Sequence, residues 1–429
     1  MTETAQIAVI GCGAVGLPIA VAFASRGAEV LGVDHDAQLV TRLASGTSEL
    51  LDDGLEDALR RSLAAGNIRF AHSLNQRAGR RMFVLAVPTP VDEQGRWKRE
   101  AIDDAFGQAL LGAADDDLLV VKSTVPVGTS RSLAMAANRD GRTLHVAACP
   151  DRSISGMSFR EQFAIPHVVG GFTDRAAQIA AKEFERLGRV RLVKNAETAE
   201  LLKLVTNVQR DVSFALANQF SMICEDLGIS FDELAGAAQD GYPRLNLANP
   251  GWVGGPCLPK DAYLLAQSVP GRHDLVSLAL CARKANLALL TRCTQAIAKR
   301  AQSLATPVIA ILGLAFKGQP RTRDQRGSLG THLVAALRQQ IPRAVIRTWD
   351  PEAIDQRGTA FEMVERADIV VVANNHPDVL ALAPATLATM MRRGGTILEL
   401  TGTPSEMPAD LPNGVELRRL GNGGLATVH

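Results

Sequence analysis

The residues best suited to do chemistry lie in one short stretch, 249–261, which holds a cysteine, a lysine and an aspartate. Its three glycines and three prolines exclude a helix or a central strand, so we expect a stiff loop around Cys257. Lys260 follows three residues later, and a cation beside a thiol lowers the thiol pKa and makes it a nucleophile. Taken alone, such a cysteine is more often a small buried side chain without a chemical role. Other stretches of the chain must therefore decide between the two interpretations.

A second stretch has the spacing of a phosphate-binding turn. The short apolar segment Gln6–Ile10 predicts a strand, and residues 17–26 have a helical pattern. Between them, Gly11 permits the turn, Gly13 lets the backbone approach a pyrophosphate, and Gly16 lets the helix pack on the strand. The predicted contacts with a dinucleotide are those of the turn itself: Gly11, Gly13, Ala14, Val15 and Gly16.

An acidic residue sets the expected identity of the dinucleotide. The segment Glu29–Val33 predicts a second strand and ends in Asp34, 18 residues after Gly16. A carboxylate at this place accepts from the adenosine ribose 2′-OH and disfavours a 2′-phosphate. We therefore expect NAD rather than NADP.

Polar residues also follow three further predicted strands, at 81–87, 117–122 and 145–148. Ligands bind at the carboxyl ends of the strands in an open parallel sheet, so we expect these residues to face one cleft. They include Thr89, Thr124 and Asp151. Ordinary turn chemistry is the alternative, because proline and threonine are common in loops.

The length and composition exclude several classes of protein. A chain of 429 residues suggests two or three domains at ~150 residues each. The net charge of +1 and the 4% of aromatic residues argue against a nucleic-acid surface. The longest apolar runs are too short for a membrane span, and we see no secretory signal at the N-terminus. The six cysteines lack C-x-x-C spacing, so we expect reduced thiols in the cytoplasm and no metal site.

A long helix is predicted at Ala196–Leu227, because this stretch lacks glycine and proline and its apolar residues recur at intervals of three and four. Its length of about 48 Å, at about 1.5 Å per residue, is typical of a helix that links two domains or forms a dimer interface. Lys203 and Asn207 are four residues apart and therefore share one face. Polar residues on such a helix usually form its wet side. A capping box at 230–233 predicts another helix directly afterwards.

Residues 305–429 predict a further α/β unit. Four apolar segments predict its strands: 307–312, 344–349, 367–373 and 395–400. Strands alone do not fix a function, so this pattern by itself predicts no ligand.

Five motifs together resemble those of the UDP-glucose/GDP-mannose dehydrogenase family, and they occur in the family's order. They are the turn at 11–16, Lys-Ser-Thr-Val-Pro-Val-Gly at 122–128, Glu-Leu-Leu-Lys-Leu-Val-Thr-Asn at 200–207, Gly-Gly-Pro-Cys-Leu-Pro-Lys-Asp at 254–261 and Gly-Leu-Ala-Phe-Lys at 313–317. The resemblance covers nearly the whole chain. It implies an enzyme that oxidises C6 of a nucleotide-linked hexose from alcohol to carboxylate with two NAD. The residues 209–212, 217–218 and 242–244 resemble the branch that acts on UDP-N-acetylhexosamines, notably UDP-N-acetylmannosamine.

The resemblance also implies an α/β fold, with two Rossmann-like parallel-sheet domains joined by a central helical domain that contains the long helix. The expected domains are an NAD-binding domain at 1–195, a central dimerisation and catalytic domain at 196–300, and a UDP-sugar-binding domain at 301–429. The expected partners are a UDP-sugar substrate and a second copy of the chain, in the cytoplasm, with no nucleic acid and no membrane.

Carried over position by position, the resemblance implies a role for each motif residue. Cys257 resembles the thiol that forms a thiohemiacetal and then a thioester. Asp261 and Thr124 are similar to the pair that positions water. Lys203 and Asn207 are similar to the groups that steady the oxygen at C6. The other implied contacts are with the cofactor at Thr89, Thr124 and Arg326, and with the substrate at Arg152, Lys203, Asn207, Arg210, Arg244, Gly254 and Lys317, where Arg244 reaches into the neighbouring subunit's site.

Three positions depart from the family pattern. Asp151 stands where the family has a glutamate, Glu399 stands where an aspartate is usual, and the segment 321–326 is basic rather than acidic. The Asp151 side chain reaches roughly 1.5 Å less than a glutamate. We therefore expect Asp151 to act as a catalytic base through a water. The alternatives are that it holds Lys203 by charge, or that it is a surface acid paired with Arg152.

Two rival functions share parts of the pattern. A two-electron hydroxy-acid dehydrogenase has the glycine turn but needs neither Cys257 nor a further sheet. A non-catalytic nucleotide-sugar sensor on the same fold has no need for Cys257, Lys203, Asn207 and Asp261 together. For an enzyme of this family, UDP-glucose or another UDP-hexose is the alternative substrate.

Overall fold

The computed structural model describes residues 6–74, 82–139, 141–354, 358–402 and 410–425. The chain divides into two compact units. The N-terminal unit consists of Met1–Asn207 and Lys260–Val276, and the C-terminal unit consists of Val208–Pro259 and Ser277–His429. The division into three domains, with boundaries at 195 and 300, stays a prediction.

One sheet forms the centre of the N-terminal unit. Its described strands are Gln6–Ile10 (β1), Glu29–Val33 (β2), Ile68–Ala71 (β3), Met82–Leu85 (β4), Leu118–Val121 (β5), His145–Ala148 (β6), His167–Gly171 (β7) and Val190–Leu192 (β8). The order is β3-β2-β1-β4-β5-β6-β7-β8, and β1 to β6 are parallel. The first six strands therefore have the 3-2-1-4-5-6 order of a dinucleotide-binding sheet. Strand β7 runs antiparallel to β6 and parallel to β8, so the sheet has a reversed edge.

Helices cover both faces of this sheet. They are Gly16–Ser25 (α1), Ala37–Ala44 (α2), Leu55–Ala64 (α3), Glu100–Gly112 (α4), Thr129–Arg139 (α5), Ser158–Ala164 (α6) and Asp174–Phe184 (α7). Alternate residues of β1 belong to different apolar clusters, since Ile7 and Val9 pack in one while Ala8 and Ile10 pack in the other. Successive side chains of a strand point to opposite faces, so the sheet is buried on both sides. This is why its strands read as continuous apolar runs.

The parallel strands agree closely with the sequence predictions. The predicted β1, β2 and β6 have the observed bounds. Strand β4 ends two residues before the predicted 87, and the predicted first residue, Arg81, lies outside the described residues. Strand β5 is one residue shorter at each end than the predicted 117–122. The short strands β3, β7 and β8 were not predicted, since they lack a long apolar run.

Helix α8 spans Ala196–Leu227, as predicted, but a line of polar residues runs along its buried face. The polar residues on that face that are at most 5% exposed include Asn207, Asp211, Asn218 and Glu225. At about 100° per residue, these four lie within about 40° of one another around the helix. The opposite side exposes apolar side chains: Leu216 46%, Phe220 42%, Ile223 52% and Leu227 67%. The expectation that polar residues form the wet side of such a helix is therefore wrong for α8.

The C-terminal unit contains a second sheet and the helices around it. The helices that follow α8 are Phe231–Gln239 (α9), Leu258–Gln267 (α10, most of which belongs to the N-terminal unit), Ser277–Ala301 (α11), Leu329–Gln340 (α12), Ala360–Val364 (α13), Pro377–Leu380 (α14) and Pro384–Met390 (α15). The strands are Val308–Leu312 (β9), Val345–Trp349 (β10), Ile369–Val372 (β11), Thr396–Glu399 (β12) and Glu416–Arg419 (β13). Their order is β10-β9-β11-β12-β13 and all pairs are parallel. The predicted second parallel sheet is thus confirmed, with β13 as an additional strand.

Candidate active site

The glycines of the first turn do what their spacing predicts. Gly11 has a φ of +89°, and a Cβ there would lie 2.6 Å from the Ala86 carbonyl oxygen. A Cβ on Gly16 would lie 1.7 Å from the carbonyl oxygen of Gly11, so only glycine permits this approach of helix to turn. In contrast, no described residue has an atom within 4 Å of a Cβ built on Gly13. The backbone of Gly13 is therefore open to a ligand.

The start of α1 is also open. Its N-cap is Val15, and in the described part of the chain no side chain caps the helix. Free N–H groups at a helix start bind phosphate oxygens well. Asp34 lies at the end of β2, where one carboxylate oxygen accepts from Cys12 N at 2.8 Å. Turn, helix start and acid together fit a dinucleotide.

A buried cluster lies beneath the ends of β5 and β6. The Lys122 ammonium lies 3.4 Å from the Asp151 carboxylate, which also accepts from Ser153 Oγ at 2.6 Å and from Gln162 Nε2 at 3.1 Å. His167 Nε2 donates to the Gln162 carbonyl oxygen at 2.8 Å. We call these five residues the Lys122 cluster. They line a small open pocket of about 210 Å³.

The charges of this cluster keep Asp151 ionised. Burial alone would raise the pKa of Asp151, but the charge of Lys122, the hydrogen bond from Ser153 and the charge of Lys203 together hold it below its usual value. The alternative of a surface acid paired with Arg152 is wrong, because Asp151 is 7% exposed and its ion pair is with Lys122. The influence of Lys203 agrees with the alternative that Asp151 holds this lysine by charge.

Two neighbours of Asp151 are held in their neutral forms. Burial, followed by the charge of Lys122, lowers the pKa of His167 to about 4. Burial raises the pKa of the Cys149 thiol to about 11. Neither group is therefore suited to act as a charged acid or nucleophile near neutral pH. Sequence analysis missed Gln162 and His167, which come from α6 and β7.

Helix α8 brings two predicted catalytic residues together. Asn207 Nδ2 donates to one oxygen of Asp261 at 2.5 Å, and Lys260 Nζ lies 2.7 Å from the other. The Asp261 side chain is 1% exposed. An amide nitrogen carries two hydrogens, so Asn207 keeps one donor for a ligand oxygen. The structure thus places Asn207 beside Asp261, a contact that the sequence did not predict, while their catalytic roles stay predictions.

Glu200, one turn before Lys203, anchors the loop that carries Thr124. Its carboxylate accepts from Gly128 N at 2.6 Å and from Ser130 N at 2.8 Å. Burial raises the pKa of Glu200 above its usual value, against the effect of these hydrogen bonds. Thr124 itself is half-buried. The Thr124 loop is therefore bound to α8, the helix that also carries Asn207.

The loop with Cys257 is held by the segment that precedes α12. Gly255 N donates to the Arg326 carbonyl oxygen at 3.0 Å, and Trp252 Nε1 donates to that of Gly327 at 2.6 Å. Gly255 has a φ of +85°, and a Cβ there would lie 2.7 Å from the ring of Phe316. Motifs that are about 60 residues apart in sequence are therefore packed together. Cys257 is exposed at the end of this loop.

Arg326 supplies a positive charge to the Cys257 loop. Its guanidinium binds Asp324, with contacts as short as 2.6 Å. The pairing with Asp324 raises the pKa of Arg326, and the negative charge of a Cys257 thiolate adds to that rise. This attraction acts on both partners, so Arg326 stabilises the thiolate. The prediction that Arg326 binds the cofactor stays open beside this contact.

The remaining predicted contacts lie in different surroundings. Thr89 is buried, Gly254 and Lys317 are half-buried, and Arg152, Arg210 and Arg244 are exposed. Arg152 donates to the Pro166 carbonyl oxygen at 3.4 Å, and the Arg244 guanidinium packs on the ring of Tyr242 at 4.6 Å. Their roles toward a substrate stay predictions.

Two of the three positions that depart from the family pattern, the segment 321–326 and Glu399, have partners within the C-terminal unit. Arg321 lies 3.3 Å from the Glu352 carboxylate, and Arg323 Nε donates to the Glu352 carbonyl oxygen at 3.2 Å. Glu399 pairs with the buried Arg419. The basic segment is therefore tied to the residues after β10.

Among the residues that the structure describes, no group of three or more His, Cys, Asp or Glu side chains could hold a metal ion. None of the helices in the described ranges is both long and apolar enough to cross a membrane.

The comparison with known families agrees with this site. The NAD binding domain of the UDP-glucose/GDP-mannose dehydrogenase family matches residues 5–187, and the central domain of that family matches residues 197–287. The fold and the site thus define an NAD-dependent nucleotide-sugar dehydrogenase. The chain belongs to the UDP-glucose/GDP-mannose dehydrogenase family.

Individual relatives are similar over almost their whole length. The UDP-N-acetyl-D-mannosamine dehydrogenase of Pyrococcus horikoshii is 30% identical over 90% of this chain and 93% of its own. The NDP-N-acetyl-D-galactosaminuronic acid dehydrogenase of Ralstonia nicotianae is 31% identical over 86% of this chain and 90% of its own. The solved structure of the Pyrococcus horikoshii UDP-D-ManNAc dehydrogenase has a TM-score of 0.87 at 28% identity, and covers 98% of this chain and 100% of that one.

Proposed function

We propose that this enzyme oxidises the C6 alcohol of UDP-N-acetylmannosamine to the carboxylate, in two steps joined by a covalent bond to Cys257. The observation that carries the proposal is the exposed thiol of Cys257, on a loop that is bound to Arg326 through the Gly255 backbone and to Gly327 through the Trp252 side chain. A mobile surface cysteine would not need such a loop, whereas a nucleophile must be held at the reacting carbon.

The first step needs the oxygen at C6 to be held while its carbon loses hydride. When bound, NAD accepts the hydride in each of the two oxidations. In this proposal Lys203 and the free hydrogen of Asn207 contact the C6 oxygen. One such donor to a developing oxyanion contributes about 3 kcal/mol. Asp261 holds Asn207 in place by accepting its other hydrogen.

The thiol makes the second oxidation possible. An aldehyde lacks the alkoxide that donates hydride, so the Cys257 thiolate adds to C6 and the new C–S bond produces a tetrahedral adduct. The hydrogen on C6 of this adduct then leaves as hydride, which gives a thioester. Water attacks the thioester carbon, the C–S bond breaks, and the carboxylate and the Cys257 thiolate are released.

Asp151 and Asp261 are the acids available for the hydrolysis. Asp151 stays ionised because of Lys122, and it lies within electrostatic reach of Lys203. We propose that Asp151 acts through a water and holds Lys203 in place by charge, while Asp261 and Thr124 position the attacking water. An ionised carboxylate accepts a proton from water without first losing one.

Two similarities support an N-acetylhexosamine as substrate. The Pyrococcus horikoshii relative is a UDP-N-acetyl-D-mannosamine dehydrogenase, and the Ralstonia relative acts in the N-acetylgalactosamine series at 31% identity. The galacto epimer is therefore the second candidate. The test is a substrate panel with UDP-ManNAc, UDP-GalNAc, UDP-GlcNAc, UDP-glucose and GDP-mannose. We expect the highest kcat/KM for UDP-ManNAc and two NADH per acid formed, and a preference for UDP-glucose would refute the substrate.

We further propose a cytoplasmic homodimer. The exposed apolar side chains of α8 at 216, 220, 223 and 227 form a stripe that a second copy of the same helix would cover. In a two-fold dimer each subunit presents the same patch, so Arg244 of one copy can serve the site of the other. Mixed Arg244→Ala and Cys257→Ala subunits should regain about a quarter of wild-type activity, because half of the dimers have one intact site. Lack of rescue, once subunit exchange is proven, would contradict the shared site.

A further inference from the structure

A chain of buried hydrogen bonds joins two helices of the C-terminal unit to the loop that carries the thiol. Arg283 Nη1 donates to the Asp211 carboxylate at 2.5 Å, and Asn286 Nδ2 donates to the same oxygen at 2.7 Å. Asn218 Nδ2 donates to Asn286 Oδ1 at 2.9 Å. Asn218 then binds Gly251 twice: Gly251 N donates to Asn218 Oδ1 at 2.7 Å, and Asn218 Nδ2 donates to the Gly251 carbonyl oxygen at 3.0 Å.

Stability alone gives no reason for these polar groups in an apolar interior. The four side chains are at most 2% exposed. Burying an ion pair costs several kcal/mol per ion by order of magnitude, and apolar residues of similar volume are often neutral or better for stability. What an apolar residue cannot do is bind both the N–H and the carbonyl of one residue, and so fix the direction of the chain there.

The direction of the chain at Gly251 matters because Cys257 follows six residues later. On the other side, the same loop is bound by the segment before α12, through Gly255 to Arg326 and through Trp252 to Gly327. The loop is thus held at two places, one on α8 and one on the segment before α12. Removing either one weakens the hold on the residues that precede Cys257.

We infer that Asn218 is a positioning residue for Cys257, and that Asn286, Asp211 and Arg283 hold Asn218 in the orientation that binds Gly251. The inference rests on the proposed role of Cys257 as the nucleophile. Asn218 touches neither substrate nor cofactor in this proposal. Its effect passes through the backbone of the loop at Gly251.

The first test replaces Asn218 with alanine. A displacement of about 1 Å at a reacting group costs about 100-fold in rate. We therefore expect Asn218→Ala to lower kcat for acid formation by about 10- to 100-fold. The KM for NAD should stay unchanged, because the glycine turn lies far away in sequence and takes no part in this hydrogen-bond chain.

The second test measures the thiol directly and does not need turnover. All six cysteines lie in described ranges, and of these Cys257 and Cys281 are exposed while the rest are buried. Iodoacetamide labelling, read by mass spectrometry, gives the rate at Cys257 relative to Cys281. We expect Asn218→Ala to lower this ratio at pH 7 by about threefold or more, because the thiol moves away from the Arg326 charge. General unfolding would instead expose Cys12, Cys149, Cys224 and Cys293 to the reagent.

A matched control exists on the same helix. Glu225 is also buried on α8 and also binds a distant loop, since its carboxylate accepts from Gly421 N at 2.7 Å and from Leu425 N at 3.1 Å. Glu225→Ala should lower the melting temperature, yet leave the labelling ratio of Cys257 unchanged. Asn286→Ala, which keeps both bonds from Asn218 to Gly251, should give a smaller decrease in the ratio than Asn218→Ala.

The outcomes separate this inference from the proposed function. If folded Asn218→Ala protein has the wild-type labelling ratio and kcat, or if Glu225→Ala changes the ratio equally, Asn218 does not position the thiol. If Cys257→Ala still forms the acid, the proposed function fails, and the labelling ratio still decides whether Asn218 positions that loop.

Discussion

The two sheets of this enzyme share the order of their first strands and helix, but the turn after the first strand has different hydrogen bonds in each. In the N-terminal unit, β1 is followed by five turn residues and α1, and β2 ends in Asp34. In the C-terminal unit, β9 is followed by residues 313–328 and α12, and β10 ends in Asp350. The equivalent strands are thus parallel neighbours with an acid at the same place.

The two turns differ in which groups accept hydrogen bonds from their backbone N–H groups. The Asp350 carboxylate accepts from Leu314 N at 2.5 Å and from Ala315 N at 2.8 Å, and Asp350 is 2% exposed. The start of α12 is capped by its own Ser328, which accepts from Thr331 N at 3.1 Å. In the first unit Asp34 likewise accepts from Cys12 N, but no described side chain caps the start of α1, so that helix start is open to a phosphate. One topology therefore yields a ligand site in the first unit and, in the second, a closed turn whose long loop holds the Cys257 segment.

The largest effect should come from the thiol that the second turn supports. Cys257→Ala removes the covalent route, so acid formation should fall by about 10⁴-fold or more. NAD binding, measured by calorimetry, should remain at the wild-type level, since the open turn belongs to the other unit. A Cys257→Ala variant that still formed the acid, or that lost NAD binding, would contradict the assignment of the chemistry to the second turn and of NAD to the first.

Asp34 and Asp350, which lie at the same place in the two sheets, allow the two turns to be compared directly. Asp34→Asn removes the charged acceptor for the ribose hydroxyl, so the KM for NAD should rise by about tenfold or more while the protein stays folded. Asp350→Asn weakens two buried hydrogen bonds, so it should lower the free energy of unfolding by about 1–3 kcal/mol and leave the KM for NAD unchanged. Urea denaturation and initial rates measure both quantities. If each variant changed the KM for NAD and the free energy of unfolding to the same degree, the two turns would not differ in function.

Substitution of Asp151 tests the prediction that the carboxyl ends of the strands in the N-terminal unit line the active site. Asp151→Asn should lower kcat by about tenfold or more with little change in KM, and Asp151→Glu should keep substantial activity. The lowered pKa keeps Asp151 ionised through the neutral range, so its titration should add no inflection to the kcat profile between about pH 6 and 9. Wild-type kinetics in the Asn variant would remove this acid from the mechanism.

A last test of the first unit is the pH dependence of stability that comes from His167. Its pKa is about 4 in the folded chain and about 6.5 in the unfolded chain, so between these values the unfolded state binds more protons. Stability therefore falls as the pH falls from about 6.5 to about 4, by about 3 kcal/mol in total. His167→Gln should flatten this part of the profile in urea denaturation, whereas the exposed control His273→Gln should not. An unchanged slope in His167→Gln would place the pH dependence elsewhere.

Local features of the site could be predicted from the sequence because their causes are local. The roles of Gly11 and Gly16 follow from the space at one turn, and the glycines and prolines before Cys257 predict a loop there. The expectation that this loop extends to residue 261 is wrong, because α10 begins at Leu258 and proline is tolerated in the first turn of a helix. The Lys122 cluster could not be predicted, because Gln162 and His167 reach Asp151 only through α6 and the antiparallel pairing of β7 with β6. Arg326 reaches the Cys257 loop from 69 positions away in the chain. Such contacts depend on how elements pack, which no spacing within one segment encodes.

The sequence pattern of α8 did not predict which of its faces is buried. A pattern of apolar residues at intervals of three and four indicates a helix, but it does not say which face is covered. Here Asn207 and Asn218 are 5% and 0% exposed, while Leu227 is 67% exposed. The polar face is buried because its side chains find one another and the backbone of two loops, which satisfies their hydrogen bonds.

The length of α8 has a consequence for which insertions and deletions the chain tolerates. Asp211 and Asn218 lie seven residues apart on nearly the same line of one continuous helix, and both are hydrogen-bonded to Asn286. Deleting one residue between them would turn Asn218 by about 100° relative to Asp211 and draw it back by about 1.5 Å. Asn286 could then bind only one of the two side chains. Selection should therefore preserve the number of residues between Asp211 and Asn218.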